Sequence, residues 1–524
     1  MWRMMEVAST LLVTMRGSPM WSNGFSKVSW TLVVACGILS IMWAKTWVRS
    51  HKGRFPPGPV ALPIIGHLHL LMNLPHQALA KLGPKYGHMI GLKLGQERCV
   101  VVSSPELAKE FLVTHDRAFA NRPPYGFISV LLYGRENDLF FSGYGAPWRK
   151  HRKICTLELF TTKRLQELEH VRQEEVGVLL ERIVHLSCGG SAAINVGECV
   201  AEMSTNLISR LLYSGPRVTS QKKDCENLPQ LVKEMEQETA PFLGDFVPWL
   251  SWVDVFRKRH MRQLHRRIDV VISCMLNERK QAMLQKRAPK DDLLHTLLSK
   301  EMAKSCDKDD NLTMNEIKSI MLGMLGGSIH TTSLILEWAM AELLKNPHCL
   351  AKLQTEIDTV FGKKEQITDS DIPKLSYMKC VMKEVFRLHP VAPLLIPRFS
   401  TSECKVRSYT LPADTHLLMN TWAIGRDEHV WKNATQFLPE RFESKDIDVK
   451  GLHFELLPFG GGRRVCLGLP LGLSMVEVTL ANLVNKFSWE LPLGETSASL
   501  NMDEMAGITA NRAIPMKAVP KLRI

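Results

Sequence analysis

From Ala61 to its end this 524-residue sequence shows no internal repeat, no low-complexity tract and no second composition break long enough for an interdomain linker. CxxC pairs are also missing. The twelve cysteines stand singly from Cys36 to Cys466, which speaks against a zinc site or a disulfide-stapled secreted domain and predicts mostly reduced, buried thiols. Acidic residues are in deficit, 53 against 66 basic ones, for a formal net charge of +13. Such an excess suits nucleic acid, anionic lipid or an acidic protein partner, but no nucleic-acid-binding motif accompanies it. The 45% apolar content is that of a globular chain and supports a sizeable core.

What is present starts with Val28–Ala44, a run without charge that Thr46, Trp47 and Val48 extend to bilayer-spanning length. Trp30, Trp43 and Trp47 sit near its ends, and Lys45, Arg49, Lys52 and Arg54 crowd its C-terminal flank. This predicts a single transmembrane helix over residues 28–48 with the bulk of the chain on the cytosolic side. No small-residue cleavage site follows, which argues against a signal or transit peptide. Residues 1–27 form an N-terminal extension without an assigned role. Residues 49–60 are a basic, proline-rich hinge whose "RFPPGP" stiffens the backbone into an extended spacer.

Residues 61–524 read as one large domain. Apolar residues at spacings of three and four predict helices over 165–186, 261–285, 314–344, 347–361, 374–388 and 469–487. Short alternating pieces at 88–95, 98–103 and 415–420 predict strands. The expected class is mainly α with a minor β region.

The stretch "FGGGRRVCLG", Phe459 to Gly468, carries the chemistry. A thiolate is a strong iron ligand, and helix N-terminal amides and nearby cations hold it deprotonated. Cys466 has both in prospect: arginines beside it and a helix starting near Leu469, with Pro470 in the first turn where proline fits. Gly460, Gly462 and Gly468 allow a tight backbone that approaches a flat ligand closely, and Arg464 can pair with a carboxylate on that ligand. The competing reading is a buried, inert cysteine at a helix start.

The spacing F-x-x-G-x-R-x-C-x-G resembles the haem-binding loop of the cytochrome P450 family, and further motifs of that family follow in order. "KEVFR" holds Glu384 and Arg387, and "PERF" holds Arg441; the resemblance implies that these three form a buried, structural charged cluster. "WRKHR" and "IPR" match propionate-binding positions, which assigns Trp148, Arg152 and Arg398 to haem. The wording, from Pro56 onward, is most similar to plant microsomal members. It implies the cytochrome P450 fold behind a membrane anchor, haem b (iron protoporphyrin IX) on Cys466, electrons from NADPH through a separate flavoprotein reductase, and residence in the endoplasmic reticulum membrane. The implied activity is monooxygenation of a lipophilic small molecule. A non-oxygenating isomerase or dehydratase of the same fold and a catalytically decayed haem-binding protein are the alternatives.

One motif departs. The family's oxygen-facing helix carries small residues followed by an acid–alcohol pair that relays protons, whereas this chain has "GSIHTT", Gly327 to Thr332. Thr331 keeps the alcohol and His330 replaces the acid. Aligning Gly326 and Gly327 with the small pair instead requires an extra residue in the helix. Histidine titrates near neutrality, so the preferred reading has His330 shuttling protons; loss of oxygen chemistry and a plain helix residue are the others. Substrate-facing segments are expected at 123–141, 242–252, 391–396 and 505–509. The basic run Arg149–Lys153, together with the arginines beside Cys466, is expected to help dock an acidic reductase.

Overall fold

The computed structural model describes residues 55–215, 228–287, 292–303, 311–362, 364–505 and 507–523. The extension, the membrane span and the first half of the hinge lie outside these residues. A four-stranded sheet of Met89–Leu94, Glu97–Val102, Thr415–Met419 and Arg398–Phe399, in that spatial order, forms one edge of the molecule. The other described strands form small sheets of two or three. Helices supply the rest.

At the centre runs Met314–Lys345, the only described helix long and apolar enough to span a membrane, and here a core helix. It starts at Thr313, whose hydroxyl accepts the Glu316 amide while the Glu316 carboxylate takes the Thr313 N–H. A reciprocal cap of this kind is worth about 1 kcal/mol. Glu316 also receives His151 at 2.9 Å and Lys150. Burial works against its charge, but these donors win and hold the carboxyl well below its usual range. The helix packs along Val196–Tyr213, Leu228–Glu238 and Leu469–Lys486.

Predicted and observed helices agree to within a few residues except in two places. The run over 165–186 breaks at Leu168 into Thr162–Glu167 and Glu169–Leu186. The physical reason is local: the Leu165 carbonyl is taken by the Arg172 side chain at 2.8 Å. The helix expected to begin at residue 261 begins at Val255. As for the alternative register of "GSIHTT", Met314–Lys345 is continuous α-helix with no wide turn to absorb an extra residue.

Candidate active site

Cys466 closes its loop by donating its backbone N–H to the Phe459 carbonyl at 2.9 Å. Within the loop, Gly460 and Gly462 have φ of +68° and +65°, and a Cβ on Gly462 would sit 2.5 Å from the Leu112 carbonyl oxygen. Glycine is required there. Gly468, by contrast, has an ordinary φ and only distant neighbours, so close backbone packing does not account for it. Helix Leu469–Lys486 starts directly after, and the amides of Gly468 and Leu469 point at the sulfur. Phe459 packs edge-to-face on Phe386 at 5.4 Å.

The thiol lies among enough protein for burial to push its pKa up, against which the two amides and Arg152 act. Yet Cys466 presents accessible surface, unlike Cys99, Cys155, Cys199, Cys349 and Cys380, which are buried. A thiol deep in the protein with one open face, opposed by donors that stabilise its anion, is a metal ligand's setting rather than a packing residue's.

Four guanidinium groups gather beside the loop. Arg464 donates to Ala120 O at 2.7 Å and Ser142 O at 2.6 Å, and its Nη1 is buried without a partner. Burial and the neighbouring Arg398 and Arg152 hold its pKa down to about 9. Arg398 reaches Asp116 at 3.2 Å and Gly461 O at 2.6 Å, and Arg152 donates to Val465 O at 2.9 Å. Arg122, which sequence reasoning missed, is buried near Arg464 and Arg398 and donates to Phe140, Ile396 and Pro397 carbonyls. Among the described residues, the acids shown against them are Asp116, paired with Arg398, and Asp138, which acts on Arg122 and Arg464. Buried positive charge in such excess calls for an anionic ligand. Trp148 lies under Arg464, 4.2 Å from ring centroid to guanidinium, but its N–H is spent on the Leu139 carbonyl at 3.0 Å.

The central helix is buried over Met321–Leu325 and again from Ser333, but Gly326 to Thr332 are accessible or half-buried. Phe140 abuts this window, lying 2.7 Å from where a Gly327 Cβ would stand. Two residues on, Ser142 meets Arg464. The segment Leu139–Ser142 therefore joins the window to the cysteine loop over a span of a few ångströms per residue. Inside the window the Thr331 hydroxyl donates to the Gly327 carbonyl at 2.9 Å, and His330 Nε2 meets Asn511 Oδ1 at 2.6 Å.

Behind the loop, Glu384 is fully buried and grips Arg387 through two contacts of 2.7 Å and Arg441 Nε through one of 2.9 Å. The structure thus brings these three together.

Two expectations need correction. Of the basic run 149–153, only Arg149 and Lys153 are exposed, because His151 and Lys150 turn inward to Glu316. Of the segment 242–252, Phe242 is buried under Arg257 and Lys258, while Trp249 and Trp252 face outward. The neighbour of the window is instead Leu228–Glu238, whose Val232, Met235 and Glu236 lie against Gly326.

Glu236 gives a test of that packing. Its Oε1 is buried without a hydrogen-bond partner, and burial raises its pKa to about 8. An acid whose folded pKa lies above its unfolded value loses stability as pH rises between the two. Glu236→Gln is therefore expected to raise the melting temperature at pH 9 and leave it unchanged at pH 4; an equal shift at both values would count against this burial.

The profile of the family described as Cytochrome P450 matches residues 56–514. The chain is a cytochrome P450 monooxygenase. It is 41% identical to Cytochrome P450 71A1 of Persea americana, over 87% of this chain and 91% of that one. It is 39% identical to Flavonoid 3'-monooxygenase of Arabidopsis thaliana, over 91% and 93%. Among solved structures, a zebra fish cytochrome P450 with progesterone aligns at a TM-score of 0.71 and 25% identity, over 85% of this chain and 99% of that one. The fold is thus the mostly helical cytochrome P450 fold with small sheets, and the family carries haem on a cysteine thiolate. The loop fits that group: an open-faced sulfur, amides favouring its anion, and arginines in need of carboxylates.

Proposed function

We propose that this cytochrome P450 hydroxylates a lipophilic aromatic molecule of the phenolic, flavonoid-like class, with electrons from NADPH delivered by a separate flavoprotein reductase. The observation that carries the haem-thiolate assignment is the open face of Cys466 beside Arg464, whose buried Nη1 lacks a partner. The substrate class rests on relatives whose names state flavonoid 3'-monooxygenase or flavonoid 3',5'-hydroxylase. Those activities also favour oxygen insertion over rearrangement or dehydration.

Bound at Cys466, haem supplies oxygen activation, with thiolate donation favouring O–O cleavage. The chain's own residues do the rest. Arg464, Arg398 and Arg152, with Trp148 packed beneath Arg464, would hold the haem through its carboxylates. Gly460, Gly462 and Phe459 shape the loop against the ring, and Gly468 leaves room at the start of the helix. Glu384, Arg387 and Arg441 brace the loop from behind. Phe140 and the apolar residues near Gly326 exclude water from the window. His330 and Thr331, both in this accessible stretch, carry protons in through water, the imidazole by exchange and the Thr331 hydroxyl as donor and acceptor.

Membrane residence finds support on one face. Val60, Trp252 and Phe256 are 86%, 69% and 84% exposed, with Leu62, Ile64 and Trp249 also exposed. The turn near Ile64 and the segment after Phe246 meet at the tip of the first hairpin, where Gly95 N bonds Ile65 O and Gln96 N bonds Phe246 O. This apolar face is the part of the domain that would meet an endoplasmic reticulum bilayer, with a span at 28–48 as the anchor and the domain on the cytosolic side. Arg149, Lys153 and Arg463 offer exposed positive charge for an acidic reductase.

The test is incubation of microsomes carrying the protein with a panel of flavanones, flavones and simple phenols, with and without NADPH. The expected result is an NADPH-dependent mass gain of one oxygen atom on a phenolic ring. Products formed equally without NADPH would overturn the proposal.

A further inference from the structure

His330 stands where relatives in its family place an acid, and its partner is not on its own helix. Asn511 belongs to a strand, Asn511–Arg512, that pairs with Glu504–Met505. This short hairpin is held firmly at its base. The Glu504 carboxylate receives His76 at 2.6 Å, Gln77 at 2.8 Å and Trp422 at 3.1 Å. On one side of Asn511, Ala510 donates its N–H to the Val391 carbonyl at 3.0 Å and accepts the Trp338 indole N–H at 2.8 Å. On the other side, Arg512 donates to Asn501 O at 2.6 Å and lies 4.9 Å above the Trp338 ring. Asn511 is thus anchored through both neighbours, and two of these contacts reach Trp338 on the same helix as His330.

An amide oxygen only accepts hydrogen bonds, so Oδ1 at 2.6 Å assigns the hydrogen to Nε2 of His330. In the neutral ring Nδ1 is then the basic nitrogen, free to take a proton and give it up again. A histidine bonded only to solvent would exchange tautomers and turn. Of the charged groups nearby, Glu337 on the same helix interacts with His330, Arg512 on the hairpin acts in turn on Glu337, and Glu236 lies across the window against Gly326.

We propose that Asn511 is a positioning residue for proton delivery: it fixes the tautomer and direction of the His330 ring so that Nδ1, not Nε2, is the nitrogen that exchanges protons with water in the window. This rests on the reading of His330 as a relay. In the step, Nδ1–H of the imidazolium gives its proton to a water in the window, and Nδ1 then takes one back from hydronium in the solvent, so that the ring ends as it began. No electrons move among these residues.

The experiment compares parent, His330→Phe, Asn511→Leu and Asn511→Asp as haem-loaded, full-length protein. Two readouts are taken from pH 6 to pH 9: product per NADPH with reductase and the flavanone naringenin, and, without substrate, the rate of return to the ferric state after the reduced enzyme meets oxygen. Whether or not naringenin turns over, the second reports on proton supply. Asn511→Leu is expected to lower the proton-dependent rate about tenfold, the lower range for removing an orienting partner at other sites. Asn511→Asp keeps an acceptor and adds a charge that favours the imidazolium, so its rate is expected to stay near parental with the alkaline limb about one pH unit higher. The moved limb identifies His330 as the titrating group, and the fall in rate with Asn511→Leu reports the positioning. A parental rate in Asn511→Leu, with His330→Phe impaired, would overturn the positioning role and leave the relay standing. A parental His330→Phe would overturn the relay itself. Should Asn511→Leu fail to take up haem, the shorter Asn511→Ser, whose hydroxyl cannot reach as far as the amide, takes its place, and a parental rate in it overturns the proposal.

Discussion

Replacing Cys466 by serine is expected to abolish the mercaptide-type absorption band of the ferrous carbonyl adduct and reduce NADPH-dependent oxygenation to background, while the fold persists. The loop does not depend on sulfur for its shape. Its closing bond runs between backbone atoms of Cys466 and Phe459, Gly460 and Gly462 set its turns, and the amides of Gly468 and Leu469 would meet a serine oxygen as readily. Metal ligation does depend on it. A serine hydroxyl is far harder to ionise than a thiol and lacks the soft, donating character that favours O–O cleavage. Circular dichroism and carbonyl difference spectra check the two halves separately. A retained mercaptide-type band in Cys466→Ser would assign the iron to another residue.

Glu384→Gln is expected to have the largest effect on stability. The carboxylate is fully buried, and its Oε1 alone accepts Arg387 Nη2, Arg441 Nε and the Leu438 amide. Glutamine keeps the shape but leaves two guanidinium groups facing a neutral amide whose NH₂ end opposes one of them. Breaking a buried ion pair by removing one partner destabilises by about 3–5 kcal/mol. Arg387 would stay tethered through the Ala434 and Gln436 carbonyls, so its charge cannot escape to solvent. The expected result is a marked fall in melting temperature and in the yield of haem-loaded protein, measured by calorimetry and carbonyl difference spectra. A parental melting temperature would show that this cluster does not hold the loop in place.

Much of the site is legible along the chain because it is written in short spacings. Phe459 to Gly468 contains the ligand, its two turn glycines and the helix start within ten residues, and Glu384 and Arg387 share one helix face by period alone. The elements that escaped notice have a physical cause. Helix Val196–Tyr213 is buried nearly all round, Ser204, Thr205, Asn206 and Ser209 included, so no polar stripe marks its period. Leu228–Glu238 is only 11 residues long, too short for its period to stand out, yet it supplies Met235 and Glu236 to the window. Arg122 sits in "NRPP" with no periodic neighbour to single it out. The run "RKHRK" looked uniformly basic, since composition does not tell which side chains turn inward to Glu316.

What the sequence alone determined is the chemistry of the ligand loop, the helical class and the family, because each depends on residues near one another in the chain. Which charges converge was decided only by tertiary structure. Arg122, Arg152, Arg398 and Arg464 come from separate segments, and His330 finds Asn511 181 positions away. Contacts of that kind exist only once packing has closed the intervening loops, and covalent spacing carries no record of them.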